Sequence, residues 1–236
     1  MKNSNLSSIP MIALAGNPNV GKSTIFNALT GLHQHTGNWS GKTVDLARGS
    51  CKIQNKFYSI VDLPGCYSLC SPSKEEEIAR DFLIQKNPQL VVIICDPVSL
   101  ERNLTLVLQI LQFTSHALLC INLMDQAKKR GIHISCEKLE KELQIPVIAI
   151  TARKKTDIAR LKLAIAQAVS KNTCACPKPP AIEAACQSAY ADYASLLYQK
   201  VVTRRQVKPS SIKKHYFHAD SLFTGTLTGI PCMLLF

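Results

Sequence analysis

A chain of 236 residues with 46% hydrophobic residues is long enough for one sizeable core and a smaller appendage, and too apolar to be disordered. Its net charge of +12 admits RNA, anionic lipid or a nucleotide as partner and chooses among none of them. Its ten cysteines form no C-x-x-C pair, so reduced thiols are expected, with Cys51, Cys95 and Cys120 as small hydrophobes in or beside strands.

The polar N-terminus leads directly into an apolar run, Ile9–Ala15, that predicts a buried strand, without the pattern of a secretory leader. Ser23–Thr30 predicts a helix closed by Gly31. Between them, Gly16-Asn17-Pro18-Asn19-Val20-Gly21-Lys22-Ser23-Thr24 has the G-x-x-x-x-G-K-[ST] form of a phosphate-binding loop. Glycines let the backbone wrap a phosphate chain. Main-chain N–H groups and the helix N-terminus then point at the negative charge. Lys22 is expected to reach the outer phosphates, and Ser23 to ligate Mg²⁺.

Leu32–Lys42, with Gly, Asn, Trp and Ser, predicts a loop. Thr43–Ile53 and Lys56–Asp62 predict two strands joined at Gln54-Asn55. Ser73 with Glu76 predicts a capping box before a helix over Glu77–Ile84. Leu90–Cys95 is a fully apolar strand. Ser99–Phe113 has helical periodicity, with Leu100, Leu104, Val107, Leu108 and Leu111 on one face. Ala117–Leu123 predicts another strand, Ser135–Leu143 a short charged helix, Val147–Ile150 a last strand and Ile158–Val169 a last helix. Six apolar strands alternating with helices predict an α/β domain over residues 1–170. Its sheet is mostly parallel with helices on both faces, and ligands sit at the strands' carboxyl ends.

Residues 171–180 hold three prolines and two cysteines and read as a linker. Ala181–Val202 predicts one helix whose stripe is Ile182, Cys186, Ala189, Tyr193, Leu197 and Val201, packed on the first domain. Linker, helix and the basic stretch to His218 make a short helical segment over residues 171–218. Residues 219–236 form an apolar tail, shorter than the roughly 20 residues of a membrane-spanning helix.

Further motifs fall at strand ends. Asp62-Leu63-Pro64-Gly65 alone reads as well as a β-turn. Forty residues past Lys22, its Asp can hold a water on Mg²⁺ and Gly65 can offer its N–H to a γ-phosphate. Asn122-Leu123-Met124-Asp125 ends an apolar strand. A carboxylate there can accept from guanine N1 and N2, a pattern adenine lacks. The usual form is N-K-x-D. Leu123 in place of Lys, whose stem covers the base, predicts weaker nucleotide binding with unchanged base choice. Thr151-Ala152 follows the last strand, where a backbone N–H would meet guanine O6. Thr43, ahead of Thr36, stands where a switch threonine would ligate Mg²⁺ only with a γ-phosphate present. His33, His35, His116, His133, His215 and His218 lack ligand spacing and read as exposed loop residues, with His33-x-His35 worth a metal titration.

Taken in order, these motifs resemble the translation-factor-like GTPases, and more narrowly the cytosolic G domain of the ferrous iron transport protein B (FeoB) family. The specific matches are Gly16–Thr24, Gly37-Asn38-Trp39-Ser40-Gly41-Lys42-Thr43-Val44-Asp45, Asp62-Leu63-Pro64-Gly65-Cys66-Tyr67-Ser68-Leu69, Glu75–Asp81 and Asn122–Asp125, a motif in which this family often lacks the Lys. The likeness covers roughly residues 9–170 and resumes weakly near Gly229-Ile230-Pro231, similar to the entry into a first membrane helix. It implies a Ras-like P-loop GTPase fold, a GTPase with GTP or GDP and Mg²⁺, and a place at the inner face of the plasma membrane. The implied partners are a membrane-embedded iron permease portion, in the same or a separate chain, and small accessory proteins. A homo-oligomer is compatible, and no nucleic-acid partner is expected.

By the same resemblance, Lys22, Asn19, Thr43 and Gly65 would carry catalysis. Cys66 stands where Ras-like proteins have a water-orienting Gln, so turnover alone should be slow. In related GTPases without that Gln, the residue matching Asn19 helps hold K⁺ against the phosphates; otherwise Asn19 is a loop residue that stabilises the turn. Other readings stay open at this point: an RNA- or ribosome-directed GTPase, a GTP-binding regulator with little turnover, or a fragment without function.

Overall fold

The computed structural model describes residues 9–31, 34–38, 45–70, 73–170 and 187–204. The apolar run that opens the chain forms β1 (Met11–Gly16), and the phosphate loop leads from it into α1 (Lys22–Thr30). Gly31 ends that helix in the left-handed region, φ 64°, and donates its N–H to the Asn27 carbonyl. The expected loop over Leu32–Lys42 contains a strand, β2 (Gln34–Asn38), which pairs antiparallel with β3 (Asp45–Ile53). The run Gln34-His35-Thr36-Gly37-Asn38 has no apolar alternation, so only the β3 edge reveals it. Gln54 and Asn55, at φ 49° and 64°, turn β3 into β4 (Lys56–Asp62) as a two-residue hairpin loop.

Next come α2 (Lys74–Lys86), β5 (Leu90–Cys95), α3 (Leu100–Phe113) and β6 (Ala117–Ile121). Half of the expected capping box forms. Ser73 Oγ accepts from the Glu76 N–H at 3.3 Å, while the Glu76 carboxylate turns away to accept from the Ser68 N–H at 3.2 Å. Three short elements were not legible: α4 (Met124–Lys129), β7 (Ile132–Ile134) and, at the far end, β9 (Val202–Arg204). Between them lie α5 (Cys136–Leu143), capped by Ser135, β8 (Val147–Ala149), α6 (Lys155–Ser170) and α7 (Gln187–Val201).

Among the described residues the main sheet has seven strands, one more than the apolar runs indicate, in the order β2-β3-β4-β1-β5-β6-β8. All neighbours from β4 to β8 are parallel, and β3 is antiparallel to both β2 and β4. All six residues of β5 are buried, as a strand covered on both faces requires. One face packs Phe82 and Ile78 of α2 with Leu104 and Val107 of α3; the other packs Ile25 and Phe26 of α1 with Leu161 and Ile165 of α6. β1 has β4 on one side and β5 on the other, so the chain's direction across the sheet reverses at β1. A ligand crevice opens at the carboxyl ends of strands beside such a reversal, and the phosphate loop leaves β1 there.

The last helix joins this core. Tyr190, Ala194, Leu197 and Val201 of α7 are buried in the cluster that holds α2 and α3. The expected stripe is thus shifted at its front: Ala189 and Tyr193 are only partly covered, and Ile182 and Cys186 lie outside the described residues. β9 pairs antiparallel with β7, the Ser135 N–H donates to the Val201 carbonyl at 2.9 Å, and Lys200 pairs with Glu142 at 3.1 Å. Among the described residues, no helix is long and apolar enough to cross a membrane. The tail at 219–236 lies outside them.

The docking of α7 is checked by two neighbouring substitutions. Leu197→Ala removes a side chain that is 2% exposed and should cost about 2–5 kcal/mol. Leu196→Ala removes one that is 58% exposed and should stay within about 0.5 kcal/mol, both read by urea denaturation.

Candidate functional site

The phosphate loop owes its path to two glycines. A Cβ on Gly16 would stand 2.4 Å from the Ile94 carbonyl oxygen, and one on Gly21 would stand 2.4 Å from Asn122 Nδ2. Gly21 also sits at φ 86°, a region that favours glycine, and caps α1 without a side-chain bond. The α1 N-terminus is therefore left open toward the crevice. Asn19 is exposed at φ 65°, a conformation Asn tolerates. Ser23 and Thr24 are exposed at the helix start. Val20 is buried, and Asn17 is buried with no partner for its Nδ2.

Lys22 Nζ pairs with Asp62 Oδ1 at 2.5 Å, and both side chains are largely covered. Burial pushes the Asp62 carboxyl above its ordinary range, against the opposing pull of the Lys22 charge and hydrogen bond. Two sites expected forty residues apart in sequence thus meet directly. Gly65 lies against the phosphate loop, since a Cβ there would come 3.2 Å from Pro18 Cα. Cys66 is 4% exposed, and burial together with the nearby Glu76 charge pushes its thiol up to about 12. That thiol stays protonated at neutral pH and cannot serve as a base. Thr43 lies outside the described residues; Thr36 lies on β2, opposite Ala47.

The segment beyond Cys66 is anchored by contacts that the sequence did not disclose. Glu76 holds the Ser68 amide, Gln109 Oε1 accepts from the Leu69 N–H at 2.8 Å, and Arg80 donates to the Leu69 carbonyl at 3.2 Å. Tyr67, between these anchors and Gly65, lies under the Arg102 guanidinium at 4.2 Å from its ring centroid.

Asn122 is the tie of the site. Its Nδ2 donates to the Val20 carbonyl at 3.0 Å, and its Oδ1 accepts from the Ala152 N–H at 3.0 Å. The Thr151 N–H donates to Asp157 Oδ2 at 2.8 Å. Both N–H groups of the Thr151–Ala152 pair, one of which was expected to face guanine O6, are therefore already donated, and a base oxygen would have to share one of them. Asp157 was not foreseen, since it lies inside a helix start with no motif. Asp125, at the start of α4, carries a buried Oδ1 with no hydrogen-bond partner. An unpaired acceptor is what guanine N1–H and N2–H would satisfy, so these residues fit a guanine nucleotide. The Asp62 carboxylate, neutralised by Lys22, and the exposed Ser23 hydroxyl are hard oxygen donors of the kind Mg²⁺ takes. Among the described residues, no cluster of three or more His, Cys, Asp or Glu side chains suits a metal ion.

Comparison with known proteins gives three concordant results. A family model described as "Ferrous iron transport protein B" matches residues 10–165. A "Fe(2+) transporter FeoB" of Helicobacter pylori (strain J99) is 40% identical over 166 residues, covering 69% of this chain and 26% of that protein. One from Campylobacter jejuni is 34% identical over 231 residues, covering 94% of this chain and 36% of that protein. The chain thus spans about a quarter to a third of the length of these relatives. The FeoB G domain of Methanococcus jannaschii superposes with a TM-score of 0.61 at 47% identity, covering 69% of this chain and 99% of that one. The cytosolic domain of T. maritima FeoB, in GDP form II, does so at 0.67 and 39%, covering 70% of this chain and 65% of that one.

Two measurements check the geometry. Asn122→Ala leaves the Val20 carbonyl and the Ala152 amide unpaired and should lower nucleotide-free stability by about 2–4 kcal/mol; Asp125→Ala removes an orphan acceptor and should change it by less than about 1 kcal/mol. In thiol labelling of the native chain at pH 8, exposed Cys70 should react while Cys51, Cys66, Cys95 and Cys120 stay protected until unfolding.

Proposed function

The chain belongs to the ferrous iron transport protein B family, and from that premise we propose that it is the GTP-binding and GTP-hydrolysing part of a ferrous iron uptake system. The observation that carries the reading is the unpaired Asp125 oxygen beside a phosphate loop tied to the same strand end through Asn122. It supports guanine as the base, with GTP and GDP as ligands. The loop Gly16 to Thr24 would hold the phosphates through its main-chain N–H groups and the Lys22 side chain, and Asn122, Asp125, Thr151 and Ala152 would hold the base.

The residues divide the work by chemistry. Lys22 would exchange part of its bond to Asp62 for the β- and γ-phosphates. Mg²⁺, when bound, supplies charge neutralisation on those phosphates; Ser23 and Thr43 would hold it, with Asp62 reaching it through water. The Gly65 N–H would sense the γ-phosphate. Cys66, protonated and buried, leaves the attacking water without a side-chain base, so turnover rests on positioning and is slow. Asn19, exposed at the loop tip, would help hold K⁺ as a substitute positive charge. Hydrolysis would release the loops around Thr43 and Gly65, and that change would regulate Fe²⁺ passage through a membrane-embedded portion at the inner face of the plasma membrane. The domain plan is a G domain over 1–170, a helical segment over 171–218 and the apolar tail over 219–236.

The test is GTP hydrolysis by the full chain in K⁺ and in Na⁺ at equal ionic strength, with ATP as control. Slow GTP turnover that rises about tenfold or more in K⁺, with no ATP turnover, is expected. Equal rates in the two salts remove the K⁺ role, and equal use of ATP removes the guanine reading.

A further inference from the structure

Four buried side-chain atoms lack a hydrogen-bond partner among the described residues: Asn17 Nδ2, Glu76 Oε2, Gln109 Nε2 and Asp125 Oδ1. The Asp125 atom is accounted for by the base. Glu76 and Gln109 each hold a backbone amide with their other terminal atom, so their side chains are already employed. Asn17 is different. It is 2% exposed, and its amide nitrogen, a donor of two hydrogens, meets no acceptor. A buried unpaired donor costs about 1–3 kcal/mol, and native chains seldom keep one without a use.

Its chain neighbours place it between two backbone segments. One chain neighbour, Gly16, fits against the Ile94 carbonyl at the end of β5. The other, Pro18, fits against Gly65, with Pro18 Cα and N both 3.2 Å from a Cβ built there. Residues 63–66 follow β4 without regular structure, so their carbonyls are not engaged in a ladder. They are also held at both ends, by Asp62 on Lys22 and by the Ser68 and Leu69 amides on Glu76 and Gln109. A short stretch pinned at both ends can turn its peptide planes without leaving the phosphate loop.

We propose that Asn17 is a positioning residue that latches the Gly65 loop in the GTP state. When the Gly65 N–H turns to the γ-phosphate, a carbonyl of the Leu63–Gly65 segment turns the opposite way and accepts from Asn17 Nδ2. The latch exists only with a γ-phosphate, so Asn17 adds to GTP affinity and not to GDP affinity. This rests on the reading of the site as a guanine-nucleotide site.

The experiment is calorimetric titration of the full chain and its Asn17→Ala and Asn17→Ser variants with GDP and with the non-hydrolysable β,γ-imido GTP analogue. A melting curve without nucleotide accompanies each. For Asn17→Ala, the analogue should bind about five- to tenfold more weakly, with GDP changed less than twofold and the melting temperature unchanged or raised. Asn17→Ser keeps a donor and should recover part of the analogue affinity. Equal losses for both nucleotides, or a melting temperature lowered by several degrees, would overturn the latch and make Asn17 a structural residue. No guanine-nucleotide binding by the unchanged chain would instead remove the functional reading on which the latch rests.

Discussion

One buried amide fixes the relation between the parts of this site. Asn122 stands at the end of β6, gives its N–H to the carbonyl before Gly21, and takes the N–H of Ala152 after β8. Three loops separated by 102 and 30 residues are thereby held in one frame. The constraint runs back into the sequence: Gly21 is required because any Cβ there would collide with the Asn122 amide. A residue that reads as part of a base-recognition motif therefore does a structural job first. It sets the distance between the phosphate loop and the Asp125 carboxylate, which a nucleotide must span with its own fixed length.

The opposite wall is built for change. Lys22 and Asp62 neutralise each other in a covered site, and the Asp62 carboxyl is held above its usual range because desolvation outweighs its partner. A phosphate chain and a cation can redistribute those charges without opening new buried ones. Past Gly65 the chain is fastened again at Ser68 and Leu69 by side chains of α2 and α3. The segment free to respond is then only a few residues long. Its outer member, Tyr67, is half-exposed and leans on Arg102 of α3, whose helix packs in the same core as Leu197 of α7. Local rearrangement near the phosphates thus has a short packed route to the last described helix.

Strong local signals made most of this readable. Continuous apolar runs gave β5 to the residue and β1 and β6 to within two residues, and Gln54-Asn55 gave the hairpin. The phosphate-loop and Asp62–Gly65 motifs led to residues that the fold brings into contact. What stayed hidden depends on distant partners. β2 and β9 lack periodicity and exist because β3 and β7 offer an edge. The capping box failed in half because Glu76 found a better-buried donor in Ser68. Asp157 on the Thr151 amide and Gln109 on Leu69 belong to no local pattern at all.

Leu123 shows how far the frame, and not the residue, decides geometry. Of the six non-glycine residues at positive φ among the described residues, five are Asn or Gln, and Leu123 at φ 58° is the exception. A leucine has no side-chain hydrogen bond to offset a left-handed backbone, which costs roughly 1–2 kcal/mol. Its neighbours impose it: the Asn122 N–H donates to the Cys95 carbonyl at 2.9 Å and the Met124 N–H to the Ile150 carbonyl at 3.2 Å. With both flanks bonded to adjacent strands, the bend that presents Asp125 forms whatever side chain stands at 123. A lysine there is therefore not needed to shape the loop. Its absence removes only a stem that would lie over the base. In the proposed reading, discrimination between guanine and adenine would remain with the Asp125 carboxylate, while the total contact with the base would be smaller.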